Sequence, residues 1–181
     1  DPAHPYYDRL KKIERHIENG SKLTSQLLGY ARKGKYEAKP IDINHVVEET
    51  VQTFGRMKKQ IRFYFNLAPD LDPVEADASQ IEQVLINLFL NASDAMPGGG
   101  DITVTTNMVH DIRFKSLTHD PRPGRYVLTS IRDTGVGMDG KTKERIFEPF
   151  FTTKEMGRGT GLGLASVYGI IKGHNGYIEV E

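Results

Sequence analysis

The chain has 181 residues, 38% hydrophobic and 27% charged, which suits one ordinary domain with an appendage and excludes wholesale disorder. Lysine plus arginine and aspartate plus glutamate each total 24, a neutrality that argues against a nucleic-acid binder working through bulk phosphate attraction. The absence of cysteine excludes disulfides, thiolate catalysis and cysteine-ligated zinc together.

Residues 8–34 read as a helix with a coiled-coil seam. Leu10, Ile13, Ile17, Gly20, Thr24, Leu27 and Ala31 follow one another at alternating steps of three and four, and such a seam wants partner helices. Residues 34–40 read as a linker, after which the pattern becomes mixed α/β. Asn44 is the expected N-cap of a helix running to about Phe54. Ile61, Phe63, Phe65 and Leu67 alternate with Arg62, Tyr64 and Asn66 as a half-buried strand. Asp77 with Gln80 has the form of a capping box, opening a helix to about Met96 whose core stripe is Ile81, Val84, Leu85, Leu88, Ala92 and Ala95.

Residues 102–108 and 126–132 alternate as two strands joined by a polar loop. A short helix is expected near 141–146, and the glycine-rich stretch 157–163 leads into another helix ending near Lys172. Residues 176–181 read as the start of a further strand. Because the strands alternate polar with apolar, the expected fold is an α/β (α+β) two-layer sandwich. Its mixed β-sheet is covered on one face by helices and preceded by the long N-terminal helix.

The 77–96 helix carries a second, polar stripe of Gln80, Gln83, Asn87, Asn91 and Asp94. Asparagine is a poor helix former, and solvated faces favour lysine and glutamate, so two mid-helix asparagines suggest amide oxygens presented to a cation or ligand. The strand 126–132 runs into Asp133-Thr134-Gly135-Val136-Gly137-Met138, a carboxylate followed by a turn whose backbone can lie close to a flat ligand. In 157–164, four glycines precede a helix, so backbone N–H groups sit at its positive end as a phosphate cradle, with Lys154 and Arg158 adding positive charge. No phosphate-binding G-x-x-x-x-G-K-[ST] loop is present. Residues 135–140 match G-x-G-x-x-G literally, but the helix after them is cut short before Pro149 and no parallel strand follows.

In order, N-L-F-L-N-A (87–92), D-T-G-V-G-M (133–138), F-E-P-F-F-T-T-K (147–154) and G-R-G-T-G-L-G-L (157–164) resemble the four nucleotide-binding boxes of the histidine-kinase catalytic domain. That domain belongs to the superfamily it shares with DNA gyrase, mismatch-repair ATPases and chaperone ATPases. The resemblance covers about 41–181 and implies an ATP-binding domain there, cut short at its C-terminal end. Residues 1–40 are similar to the second helix and linker of the kinases' dimerisation and phosphotransfer hairpin.

The resemblance implies roles for matching positions. Asn91 would be the magnesium ligand, with Asn87 as the second amide beside it and Asp94 following on the same face. Asp133 would accept the adenine amino group, while Gly135, Gly137 and Met138 border the nucleotide. Phe150 and Thr152 fall within the third box, and Phe147, Phe150 and Phe151 would anchor the lid between boxes. Lys154, Arg158, Gly159, Thr160, Gly161, Leu162 and Gly163 would face the phosphates. Many relatives carry lysine where this chain has Asp94, which shifts phosphate neutralisation toward Mg²⁺, Lys154 and Arg158. Hydrolysing relatives place a water-positioning glutamate where this chain has Asn87, and an amide is no general base. The resemblance therefore implies Mg·ATP-dependent transfer to histidine, with catalytic weight on Asn87, Asn91 and Lys154. An ATP-hydrolysing relative or a non-catalytic nucleotide module are the alternatives.

None of His4, His16, His45, His110, His119 and His174 stands in the acceptor pattern, so the phosphorylated histidine is expected upstream of residue 1. His45 follows the expected N-cap, His110 and His119 fall in the polar loop, and His174 ends a helix. The fragment would then be unable to autophosphorylate. Implied partners are a response-regulator receiver domain and, in the parent, a second copy through the phosphotransfer helices. No apolar run approaches the roughly 18 residues of a membrane span. No membrane contact is expected of this fragment, and a cytoplasmic location is expected, whether or not the parent is anchored.

Overall fold

A computed structural model of the chain describes residues 37–110, 122–154 and 159–181, with Tyr6 and Lys11. The chain divides into two units, Asp1–Gly34 and Lys35–Glu181. The helix expected over 8–34, most of the polar loop, Arg158, His4, His16 and His119 lie outside the described residues.

The second unit begins with a three-residue strand, β1 (Lys39–Ile41), and a helix, α1 (Ile43–Met57). Asp42, not Asn44, caps α1: its carboxylate accepts from the Asn44 and His45 amides. Asn44 is diverted to tertiary bonds, donating to Ala68 O at 2.7 Å and accepting from the buried Thr106 hydroxyl at 2.8 Å. Then follow β2 (Ile61–Leu67), β3 (Val74–Ala76) and α2 (Ala78–Ala95). The remaining elements are β4 (Gly100–His110), β5 (Arg125–Asp133), α3 (Gly140–Arg145) and α4 (Gly163–Gly173). His110 thus ends a strand and does not lie in the loop.

The main sheet has the order β2–β4–β5, with β2 parallel and β5 antiparallel to β4, the mixed sheet expected. A separate antiparallel pair, β1 with β3, sets Lys39 opposite Ala76 and so leads directly into the start of α2. Residues 176–181 form no strand. The Tyr177 side chain instead meets β5 edge-on to Tyr126, ring centres 5.4 Å apart, and its hydroxyl accepts from the Arg122 amide. Side-chain contacts there take the place of a backbone ladder.

One face of the main sheet holds the core. Val47 and Phe54 of α1, Leu85, Phe89, Ala92 and Met96 from α2 and its end, and Ile102 and Val104 of β4 form a continuous buried cluster. Phe54, Phe63 and Phe89 meet edge-to-face, with ring centres 5.1 to 6.0 Å apart. Phe89 was not part of the expected stripe, yet it is fully buried. Helix α2 lies against both α1 and α4, so its apolar arc is wider than a helix with one covered side requires. Among the described residues no helix covers the opposite face of the sheet, where Tyr64 is exposed and Arg62 pairs with Asp101 at 2.7 Å. Among the described residues no helix is long and apolar enough to cross a membrane.

Asp77 caps α2 as expected, accepting from the Ser79 and Gln80 amides and the Ser79 hydroxyl. The second half of the expected box is supplied differently. The Asp77 amide donates to Nε2 of His174, at the far end of α4, and not to the Gln80 side chain. His174 Nδ1 lies 2.8 Å from Ile170 O, and a carbonyl can only accept, so the imidazole carries its proton on Nδ1. The two helices are thus fastened at one end by a histidine.

Two outcomes follow from this corner. His174→Phe leaves the Asp77 amide without its acceptor and should lower stability by about 1–3 kcal/mol, read from urea unfolding. The Ser79 hydroxyl, aided by backbone amides and opposed by burial, holds the Asp77 carboxyl below the ordinary carboxylate value. A carboxyl lowered on folding stabilises above its unfolded value near ~3.9 and loses that contribution as pH falls. Below about pH 5, wild type should therefore lose stability more steeply than Asp77→Asn.

Candidate nucleotide site

The polar stripe of α2 faces the start of α4 and the stretch that carries Lys154. Asn87 is buried as a residue, but its side-chain amide makes no hydrogen bond to another described residue and, since no buried side-chain polar atom lacks a partner, keeps access to solvent. A Cβ placed on Gly163, the first residue of α4, would lie 3.8 Å from both Asn87 Oδ1 and Asn91 Nδ2. Helix α4 has Leu162 at its N-cap position and receives no side-chain cap, so its first-turn amides point outward uncapped beside the two asparagines. Lower on the stripe, Gln83 Nε2 reaches the buried Ser166 hydroxyl at 3.4 Å and holds α4 in place.

Lys154 closes another side of the same region. Its Nζ donates to Asp94 Oδ2 at 2.6 Å and to Asn91 Oδ1 at 3.3 Å. Its backbone amide donates to Thr152 Oγ1. Gly159 packs against that threonine and the lysine stem, where a Cβ would meet Lys154 Cβ at 3.2 Å. The hydroxyl of Thr160 accepts from the Leu162 amide, just ahead of α4.

The loop after β5 is strapped to the end of α2, one turn beyond Asn91. Asp133 Oδ1 accepts from the Gly135 amide at 2.8 Å, and the Val136 amide donates to Ala95 O. A side chain at Gly135 would strike Ala95 Cβ at 2.7 Å, so only glycine permits this approach. Thr134, not singled out by the sequence, accepts from the Asp101 amide and donates toward Met96 Sδ, fixing the loop to the core. Gly137 has a positive φ of 70°, and Val136 and Met138 after the strap are exposed. Asp139 then caps α3; hydrogen bonds from the Thr142 side chain and amide hold its carboxyl below the ordinary range.

The phenylalanines of the third box divide. Phe147 is half-buried against Tyr168, and Phe151 lies under the Arg145 guanidinium at 4.4 Å. Phe150 does not anchor through its ring, which is 65% exposed. Its backbone does so: the Phe150 amide donates to Gly161 O at 2.9 Å, with φ of 68° at Phe150 and 64° at Gly161. A Cβ on Gly161 would fall 2.6 Å from Phe150 Cα, which excludes any other residue. Asn87, Asn91, Asp94, Lys154 and Gly163 are therefore brought together, with Asp133 and Gly135 at the neighbouring end of α2.

Residues 76–181 match the profile of the histidine kinase-, DNA gyrase B- and HSP90-like ATPase family. The chain is 39% identical over 179 residues to sensor kinase CckA of Brucella abortus, covering 98% of this chain and 19% of that protein. It therefore spans about a fifth of that relative's length. The catalytic domain of histidine kinase ThkA in a nucleotide-free form superposes with a TM-score of 0.58 at 33% identity, over 76% of this chain and 82% of that one. ThkA in complex with response regulator protein TrrA aligns over all of this chain and 49% of its own, with a TM-score of 0.69 at 25% identity. The chain belongs to the histidine kinase-, DNA gyrase B- and HSP90-like ATPase family and is similar over most of its length to the catalytic domain of a histidine kinase.

Proposed function

We propose that residues 41–181 bind Mg·ATP between α2 and the start of α4 and donate the γ-phosphoryl group to a histidine outside this chain. The observation that carries this reading is the Asn87 amide, bonded to no other described residue and still open to solvent, facing an uncapped helix start across a glycine. The donor set fits a magnesium ion brought in by nucleotide. Asn91 offers a hard amide oxygen, and among the described residues no cluster of three His, Cys, Asp or Glu side chains could hold a cation unaided. When bound, the ion would draw negative charge off the transferring phosphoryl group.

The chain's own groups orient the rest. The first-turn amides of α4 and the Lys154 ammonium supply positive charge to phosphates. Arg158 is assigned the same role by its place in the fourth box. Asp133 uses Oδ1 to brace its own loop, leaving Oδ2 to accept from an adenine amino group. Gly137, Met138, Thr152, Thr160 and Leu162 border this path as members of the boxes. Nothing at Asn87 can take a proton from water, which favours transfer to an imidazole over hydrolysis. Residues 1–40 would be the second helix and linker of the phosphotransfer hairpin. A response-regulator receiver domain and a second copy would complete the signalling unit.

Calorimetry with Mg·ATP tests the site: wild type should bind, and Asn91→Ala should weaken binding by about tenfold or more. With radiolabelled ATP, label should pass to a separately supplied hairpin bearing the acceptor histidine, while phosphate release without that hairpin stays slow. Rapid steady-state phosphate release by the chain alone would overturn the transferase reading.

A further inference from the structure

Lys154 occupies the Asn91 oxygen that a metal would use. Its ammonium donates at once to Asp94 Oδ2 and to Asn91 Oδ1, residues one turn apart on α2 and about sixty positions away in sequence. The lysine is only 34% exposed along its side chain, its stem packs against Gly159, and its backbone amide donates to Thr152 Oγ1. A magnesium ion held by Asn91 Oδ1 would sit about 2.1 Å from that oxygen. An ammonium on the same oxygen would then face a divalent charge at van der Waals range, which is strongly repulsive.

Resting on the Mg·ATP reading above, we infer that the Lys154 ammonium and the divalent cation are alternative occupants of Asn91 Oδ1, with Asp94 the positioning residue that holds the lysine there. Binding is then an exchange of cations. Mg·nucleotide takes Asn91 Oδ1, the Asp94–Lys154 pair opens, and the released ammonium moves onto the phosphate oxygens. Asp94 acts against nucleotide binding in this scheme, because the population able to bind is reduced by the fraction in which the pair is closed. A half-exposed ion pair is weak, so the effect is a modest factor.

The test is a double-mutant cycle on the whole chain, measuring Mg·AMPPNP binding by calorimetry. Asp94→Asn should tighten binding about two- to fivefold in the wild-type background and leave it unchanged in a Lys154→Met background. A second readout needs no nucleotide: acylation of the Lys154 amine by acetic anhydride, followed by mass spectrometry, should be faster in Asp94→Asn. Weaker or unchanged binding by Asp94→Asn would overturn the inference. So would equal tightening with and without Lys154, because simple relief of carboxylate–phosphate repulsion needs no lysine. If wild type and all variants fail to bind Mg·AMPPNP, the Mg·ATP reading falls and the exchange with it.

Discussion

The packing of Phe89 sets the orientation on which the site depends. That ring is fully buried between Phe54 and Phe63, and it fixes the rotation of α2 about its axis. Each residue turns a helix by about 100°, so Asn87 and Asn91, two positions either side of Phe89, both point to nearly the opposite side. The cluster of rings therefore aims the two amides at α4. A helix slipped by one residue would turn them about 100° away and leave Gly163 facing apolar side chains.

Fixing α2 would be of little use if its neighbours could drift, and each is tied by a different device. The far end of α4 is fastened to the start of α2 through His174 and Asp77. The loop after β5 is drawn onto Ala95 at a place that only glycine permits. Phe150 and Gly161 share a left-handed backbone pairing that closes the base of the stretch carrying Lys154. A phenylalanine with positive φ costs about 1–2 kcal/mol, and such strain persists where surrounding structure over-determines the backbone.

The parts legible in the sequence were those with long periods or dense local chemistry. The strand at 61–67, the helix opened by Asp77 and the glycine boxes all announce themselves within a few residues. The pair β1–β3 does not, because three residues give no period and Pro40 weakens one strand's signal further. Asn44 reads locally as the cap of α1, but Asp42 takes that place and Asn44 bonds Thr106, 62 positions away. Phe89 was missed because a helix covered on two sides has no single stripe. The stripe Asn87–Asn91–Asp94 was visible as an anomaly, but that Asp94 meets Lys154 is a tertiary fact with no trace in local spacing.

On the proposed reading, a nucleotide-bound cation sits against α2 at the start of α4. Replacing magnesium by paramagnetic manganese in an NMR titration with nucleotide locates that cation directly, because nearby resonances broaden with the inverse sixth power of distance. The strongest loss is expected at the side-chain amides of Asn87 and Asn91 and at the backbone amide of Gly163, with His174 at the far end of α4 spared. Broadening centred elsewhere, or absent from those three groups while nucleotide is bound, would contradict it.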